Sequence, residues 1–192
     1  MRVQQRRLLP SAGRLLVATP ALGDPNFSRT VVLLVQHQAD VGSLGIVLNR
    51  PLKVKLSDVL HGLPEERQEK LWLGGPVQPE ELQVLHRMEA LAALSTAVAE
   101  GVWIGQGTEF VARLLVSVGA DPQGRHYRCF AGYAGWGSGQ LQAEIKDHAW
   151  VVVPCGPEAA FGSDHDLWAE MSLRAVLPGG RDAAFIAKAR QN

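Results

Sequence analysis

Net charge, long apolar runs and cysteine are all scarce in this 192-residue chain, and each shortage excludes something. Nineteen Lys and Arg side chains balance nineteen Asp and Glu, so no global field draws nucleic acid or an anionic membrane to the protein. The strongly apolar runs Val31–Val35 and Trp150–Val153 fall far short of the roughly 20 residues a membrane-spanning helix needs. No apolar stretch of about 7–15 residues follows the N-terminal arginines, so nothing resembles a signal peptide. The expected compartment is the cytoplasm. Two cysteines, Cys129 and Cys155, cannot found a disulfide framework, and in reducing cytosol both stay free. Cys129 lies in a predicted strand, where a buried thiol behaves as a small hydrophobe.

The usual catalytic signatures are missing too. Around Ser138 the second neighbours are Trp136 and Gln140, so there is no G-x-S-x-G elbow. Glycine is never followed by lysine, which removes the G-x-x-x-x-G-K-[ST] phosphate loop. Gly105-Gln106-Gly107 and Gly135-Trp136-Gly137 carry Phe110 and Gln140 where G-x-G-x-x-G needs its third glycine. No dinucleotide site of that kind, and no cofactor, is implied. The six histidines form neither H-x-x-x-H nor H-E-x-x-H. His126 and Cys129 make one half-site without a second, and three apart in a strand they face opposite ways. No metal is expected, and Asp164-His165-Asp166 reads as a helix cap.

What is present describes an ordinary globular domain. The chain is 46% hydrophobic and 20% charged, and a chain of this size buries roughly 70% of the surface its unfolded form exposes. Gly at 20 and Pro at 11 exceed the usual shares of about 7% and 5%, so many turns separate short elements. Residues 1–12 read as a basic arm, 13–178 as one domain and 179–192 as a loosely held tail. Residues 1–30 carry Arg2, Arg6, Arg7, Arg14 and Arg29 against Asp24. Such an arm is either a solvated terminus or a contact for phosphate or an acidic partner.

Apolar runs bounded by turn formers predict strands at Gly13–Thr19, Arg29–His37, Gly45–Asn49, Leu71–Gly75, Gly101–Gly105 and Ala149–Val153. Asn49-Arg50-Pro51 ends the third of these. Pro20–Phe27, with two prolines and Gly23, Asp24 and Asn26, is a loop with rigid corners. Ser57 caps a short helix carrying Val59 and Leu60, and Pro79–Ala93 leans helical on its Pro-Glu-Glu start. Thr108 caps a helix with Phe110, Val111, Leu114, Leu115 and Val118 on one face. Asp164 or Asp166 caps another, bearing Leu167, Trp168, Met171 and Ala175, which Pro178-Gly179-Gly180 ends.

The remaining feature is a glycine cluster, Gly132, Gly135, Gly137 and Gly139, read as a turn between a strand and a helix. Unblocked N–H groups at a helix start suit an anion. Trp136 either covers a bound group there or packs the turn into the core. Gln140 and Glu144 project from the first turns of the helix.

Taken together, Gly13-Arg14-Leu15-Leu16, GDPNFSRTVVLLVQH (Gly23–His37), GIVLNRP (Gly45–Pro51), GGPV (Gly74–Val77) and GYAGWGSGQLQAEI (Gly132–Ile145) with Trp150 resemble the bacterial AlgH/YqgE family. These motifs span about residues 13–153, and the GYAGW-x-x-GQL block is the most specific of them. The resemblance implies a mixed α/β fold: a mostly antiparallel, bifurcated sheet wrapped into a pseudo-barrel with flanking helices. It also implies a strand rather than a helix over Leu82–Arg87. The family is described as a transcriptional regulator of exopolysaccharide production, a label from genetics that brings no catalytic residue. The ligand-binding candidates are therefore Asn49, Arg50, Gly135, Trp136, Gly137, Gln140 and Glu144.

The favoured expectation is a non-enzymatic binding protein acting on gene expression indirectly, through a small anionic ligand or a protein partner; a homodimer is compatible with it. A hydrolase or transferase would use the glycine turn as an anion cradle, Glu144 or His37 as base, and Cys129 or Ser138 as nucleophile. Direct DNA binding is disfavoured by zero net charge and by the absence of a basic recognition helix.

Overall fold

The computed structural model describes residues 8–63, 67–162 and 166–176. The first seven residues, Asp164 and His165, and the segment 177–192 lie outside the described residues. So do most of the basic arm, the Pro178-Gly179-Gly180 stop and the whole tail.

Three strands, β1 (Arg14–Ala18), β2 (Val31–Gln38) and β3 (Gly42–Val47), form antiparallel pairs with Leu15 opposite Leu33 and Leu33 opposite Ile46. Val31–Leu34 are all fully buried because both faces of this ribbon are covered. Leu15, Val17, Val31, Leu33 and Ile46 enter one core, while Leu16, Ala18, Val32 and Leu34 enter another. A strand covered on both faces reads as a continuous apolar run, as VVLL does here.

Next come β4 (Pro51–Lys55), the one-turn helix α1 (Leu56–Val59), β5 (Lys70–Leu73) and β6 (Val77–His86). A 3₁₀ turn (Glu89–Leu94) leads to β7 (Thr96–Ala99) and β8 (Val102–Gln106). Helix α2 (Gly107–Ser117) buries Phe110, Val111, Leu114 and Leu115 in a third core. The chain continues through β9 (Tyr127–Gly137), α3 (Gln140–Lys146), β10 (Trp150–Pro154), α4 (Pro157–Phe161) and α5 (Leu167–Val176).

The sheet runs β10-β1-β2-β3-β9-β6-β8-β7, with β5 parallel to β9 and β4 beside β5. Every other pairing among the described residues is antiparallel. The sheet wraps without closing: β7 pairs with β8 yet delivers Val98 to the core that holds Leu15 and Val17. This is the mixed α/β, branched and largely antiparallel fold expected.

Strand β9 makes the branch. Its Cys129–Ala131 segment lies beside Leu71–Leu73 of β5, and its Ala134–Gly137 segment beside Gly45–Gly42 of β3. Gly74 stitches the fork, donating to Ala131 O and accepting from Val47 N, both at 2.8 Å. The faces of β9 also exchange there. Tyr127, Cys129 and Ala131 enter the α2 core, but beyond Gly132 it is Ala134 and Trp136 that face outward, into the core under α3. One extra residue, Gly132 at φ 68°, accounts for the change of parity.

Several local expectations are corrected. Val77–His86 is strand, not helix, in agreement with the family resemblance; Pro79 is accommodated where the β6–β9 register shifts between Val77 and Leu82. Pro51 opens β4 rather than ending β3, since β4 is an edge strand and has no ladder donor to lose there. The short strands β4 and β7 have no separate signal in the sequence. Lys55, not Ser57, is the N-cap residue of α1, and Gln106, not Thr108, that of α2. Asp166 does cap α5, accepting from Ala169 N at 3.0 Å. The glycine cluster is not a turn: Gly132, Gly135 and Gly137 lie within β9.

His86 is fully buried between the rings of Trp103 and Phe110. Its Nδ1 accepts from Met88 N at 3.3 Å, which leaves the proton on Nε2, 2.7 Å from Ser95 Oγ. Burial holds its pKa below the ordinary imidazole value. The unfolded chain therefore binds a proton that the native state refuses below about pH 6.5, and stability falls as pH drops, by at most about 1.4 kcal/mol per unit. Urea midpoints at pH 7.5 and pH 5 should show this loss, and His86→Gln should flatten it. An equal loss in both proteins would remove His86 as its source.

Candidate functional site: a braced surface loop

The segment 20–30 connects β1 to β2, and most of it is exposed. Its shape starts locally. Asp24 Oδ1 accepts from Asn26 N at 2.8 Å and Asp24 O from Phe27 N at 3.1 Å, a side-chain-mimicked turn. The buried Thr30 donates its hydroxyl to Phe27 O at 2.8 Å.

Four braces then hold the loop from outside. Asn49 works like a strand peptide: its Oδ1 accepts from Val31 N and its Nδ2 donates to Arg29 O, both at 2.9 Å. Arg50 donates to Ser28 O at 2.9 Å and Pro25 O at 3.5 Å. Phe27 stacks on Trp136 (centroids 6.1 Å) and meets Trp150 edge-on (5.7 Å). Arg29, at φ 55°, pairs with Asp166 at 3.0 Å and lies 4.6 Å over the Trp168 ring.

Glu144 is the hub beneath Phe27. Its Oε2 accepts from the indole N–H of Trp136 (2.9 Å) and of Trp150 (2.7 Å), and its Oε1 from Gln140 Nε2 (2.9 Å). Gln140 in turn accepts from Gly137 N at 3.0 Å. The structure thus gathers Trp136, Gly137, Gln140 and Glu144 into one network, and Asn49 and Arg50 reach it through the loop. Glu144→Ala leaves two indole donors without an acceptor, each costing about 1–3 kcal/mol. Denaturant unfolding should register a loss of about 2–6 kcal/mol, with Glu144→Gln intermediate because one acceptor oxygen survives. A loss below half the lower figure would mean solvent satisfies both indoles.

Two of the N–H groups offered for an anion are engaged elsewhere. Gly137 N serves Gln140, and Gly139, the N-cap residue of α3 at φ 70°, donates to Ala39 O at 3.0 Å. Gly135 sits opposite Leu44 in the ladder. His37 faces Ser43 Oγ at 2.7 Å and Gln142 Nε2 at 3.5 Å, not Glu144. Cys129 is 1% exposed, and burial pushes its pKa up to about 12, so a thiolate there is strongly disfavoured. His86 and Ser95 form a second close Ser–His pair, but the Nε2 proton points at the hydroxyl, and Ser95 Oγ donates to Leu91 O. That direction is the reverse of a nucleophile–base pair.

Sequence reasoning missed two features. Arg29 and Trp168, 139 residues apart, gave no joint signal. Neither did the trio of part-buried Arg67 with buried Glu69 and Tyr127. Arg67 donates to Leu115 O and to Val118 O (2.7 Å), supplying the cation that the C-terminus of α2 lacks. A small open cleft lies beside this trio, lined among others by Glu69, Asp121, Gly124 and Tyr127. Among the described residues no group of three His, Cys, Asp or Glu side chains is placed to hold a metal ion. No helix among them is long and apolar enough to cross a membrane.

The AlgH-like family model matches residues 15–177. The chain is 42% identical over 176 residues to a UPF0301 protein of Streptomyces avermitilis, covering 84% of this chain and 85% of that one. It is 34% identical over 175 residues to a UPF0301 protein of Chlorobaculum tepidum, covering 91% and 90%. The solution structure of the AlgH protein from Pseudomonas aeruginosa superposes with a TM-score of 0.74 at 27% identity, covering 95% of this chain and 96% of that one. A crystal structure of protein DIP2367 from Corynebacterium diphtheriae shares the fold, with a TM-score of 0.68 at 23% identity and coverage of 94% and 97%.

Proposed function

This chain belongs to the AlgH-like family, and on that premise we propose that it is a non-enzymatic, cytoplasmic regulatory protein whose 20–30 loop recognises a ligand or protein partner. Gene expression is then affected indirectly, through that partner. The observation that carries this reading is the contrast between the loop's exposure and its bracing. Asn49, Arg50, Phe27 and Arg29 fix its backbone, while the Pro25, Asn26 and Ser28 side chains are left at the exposed surface. A loop held in one conformation loses little entropy on binding, which is how a rigid scaffold presents a recognition surface. The Glu144 hub supports the same reading, because a carboxylate occupied by three donors is a positioning group rather than a general base.

The test uses the exposed side chains and leaves the braces intact. In a host strain lacking the gene, wild-type protein should restore the transcript profile and Asn26→Arg/Ser28→Arg should not, although it unfolds within about 0.5 kcal/mol of wild type. Full restoration by the double variant would overturn the reading. Direct DNA recognition would instead appear as duplex binding by the purified protein that weakens steeply between about 50 and 200 mM salt.

A further inference from the structure

Helix α5 grips both stems of the recognition loop with one side chain. The Trp168 indole N–H donates to Ala18 O at 2.7 Å, on the stem where β1 ends. The face of the same ring lies under the Arg29 guanidinium, on the stem where β2 begins. Ala18 N and Thr30 O close the base of the loop with a hydrogen bond of 3.0 Å, so Trp168 spans a junction that the backbone itself has just tied. Asp166, the residue that caps α5, pairs with Arg29 from the same side. Arg29 meanwhile holds a left-handed backbone conformation, uncommon for a residue with a side chain, and a conformation of that kind persists only where its surroundings impose it.

The helix is short, and few of its described side chains are buried against the sheet. It has ten residues, too few to be stable alone, and it rests on the sheet through Met171 with help from Leu167, Trp168 and Ala175. Its ion pair with the loop is exposed on both sides, at 63% and 52%, and is therefore screened by salt.

We propose that α5 is a latch for the recognition loop: docked, it holds Arg29 and the two loop stems in the braced conformation; undocked, it releases them. Whatever binds or displaces α5 then changes how the loop is presented, and by linkage whatever engages the loop changes how tightly α5 docks. That regulatory consequence rests on the loop being the recognition surface, whereas the coupling between helix and loop stands separately and is measured separately.

Hydrogen exchange of the full chain reads the coupling. In Arg29→Gln the cation–π contact and the ion pair are both lost. The loop amides of Leu22, Asn26, Phe27 and Thr30 should then exchange about 5–20-fold faster, with Leu33 and Ile46 in the core strands unchanged. Trp168→Leu should accelerate the same amides further. Should that variant fail to fold, wild-type protein in about 1 M salt, where exposed pairs are screened, should reproduce the direction of the Arg29→Gln effect. Faster exchange in α5 with an unchanged loop would overturn the latch, and so would equal acceleration throughout the sheet, which is general destabilisation. A latch that fails leaves the complementation result with Asn26→Arg/Ser28→Arg untouched, and the reverse holds equally.

Discussion

Glu69→Ala should destabilise the fold by about 3 kcal/mol, the lower end of the cost of removing one partner of a buried ion pair, because the Arg67 left behind is only part-buried. Glu69 is 3% exposed. Its Oε1 accepts from Arg67 Nη1 at 3.0 Å, from the Tyr127 hydroxyl and from Asp121 N at 3.4 Å. Burial raises its pKa, but the hydrogen bonds from Tyr127 and Arg67 outweigh burial, and the net shift is downward. A carboxylate depressed in this way contributes stability above its unfolded value of about 4.3 and loses that contribution as pH falls through the folded pKa. Wild type should therefore lose stability at acid pH more steeply than the variant. The Tyr127 pKa moves the other way, raised by burial and by the neighbouring carboxylate, which keeps the phenol a donor. Replacing Arg67 and Glu69 together by Met and Leu should cost less than Glu69→Ala alone, because no charge is then left without a partner. A Glu69→Ala loss under about 1 kcal/mol in denaturant unfolding would mean that solvent reaches Arg67 and that the trio is not a sealed centre.

The sequence pattern conveys burial better than connectivity. VVLL in β2 announces a strand covered on both faces, and the 110, 111, 114, 115 spacing announces the helix that covers the α2 core. Prolines mislead in two places. Pro51 opens an edge strand and Pro79 sits in a register shift, positions where a missing N–H costs nothing. Reading Pro51 as a breaker hid β4, and reading Pro79 as a helix start pulled β6 towards helix. The candidate site was legible as a set of residues but not as a geometry. Trp136, Gln140 and Glu144 lie within eight positions, and their shared network follows from a strand running straight into a helix. Asn49 and Arg50 belong with them only because the 20–30 loop stands between, a relation set by β-sheet pairing and invisible in local spacing. Arg29 and Trp168 needed the complete fold.

The glycine cluster shows the same limit most clearly, since four glycines that look alike in sequence do different work. Gly132→Ala should cost about 2–5 kcal/mol, from a left-handed conformation at φ 68° and from overpacking against backbone. A Cβ there lies 2.7 Å from Gly75 O and from Val77 O, and 3.1 Å from Pro79 Cα. None of these is a side-chain end that can swing away; each is backbone of the β5–β6 connection or of the start of β6, packed against the fork. The same methyl at Gly135, three residues on, meets Tyr133 Cε2 at 3.6 Å and Val77 Cγ2 at 3.8 Å, ordinary contacts at a backbone that needs no positive φ. Gly135→Ala should therefore stay within about 1 kcal/mol of wild type, and removing a strand glycine can even stabilise. Urea midpoints of the two variants make the comparison directly, and equal values would remove the parity change at Gly132 as the reason for its glycine. Gly135 lies on the exposed face beside the Trp136–Glu144 hub. If Gly135→Ala folds normally yet fails to restore the transcript profile, the fold does not require that glycine and recognition does.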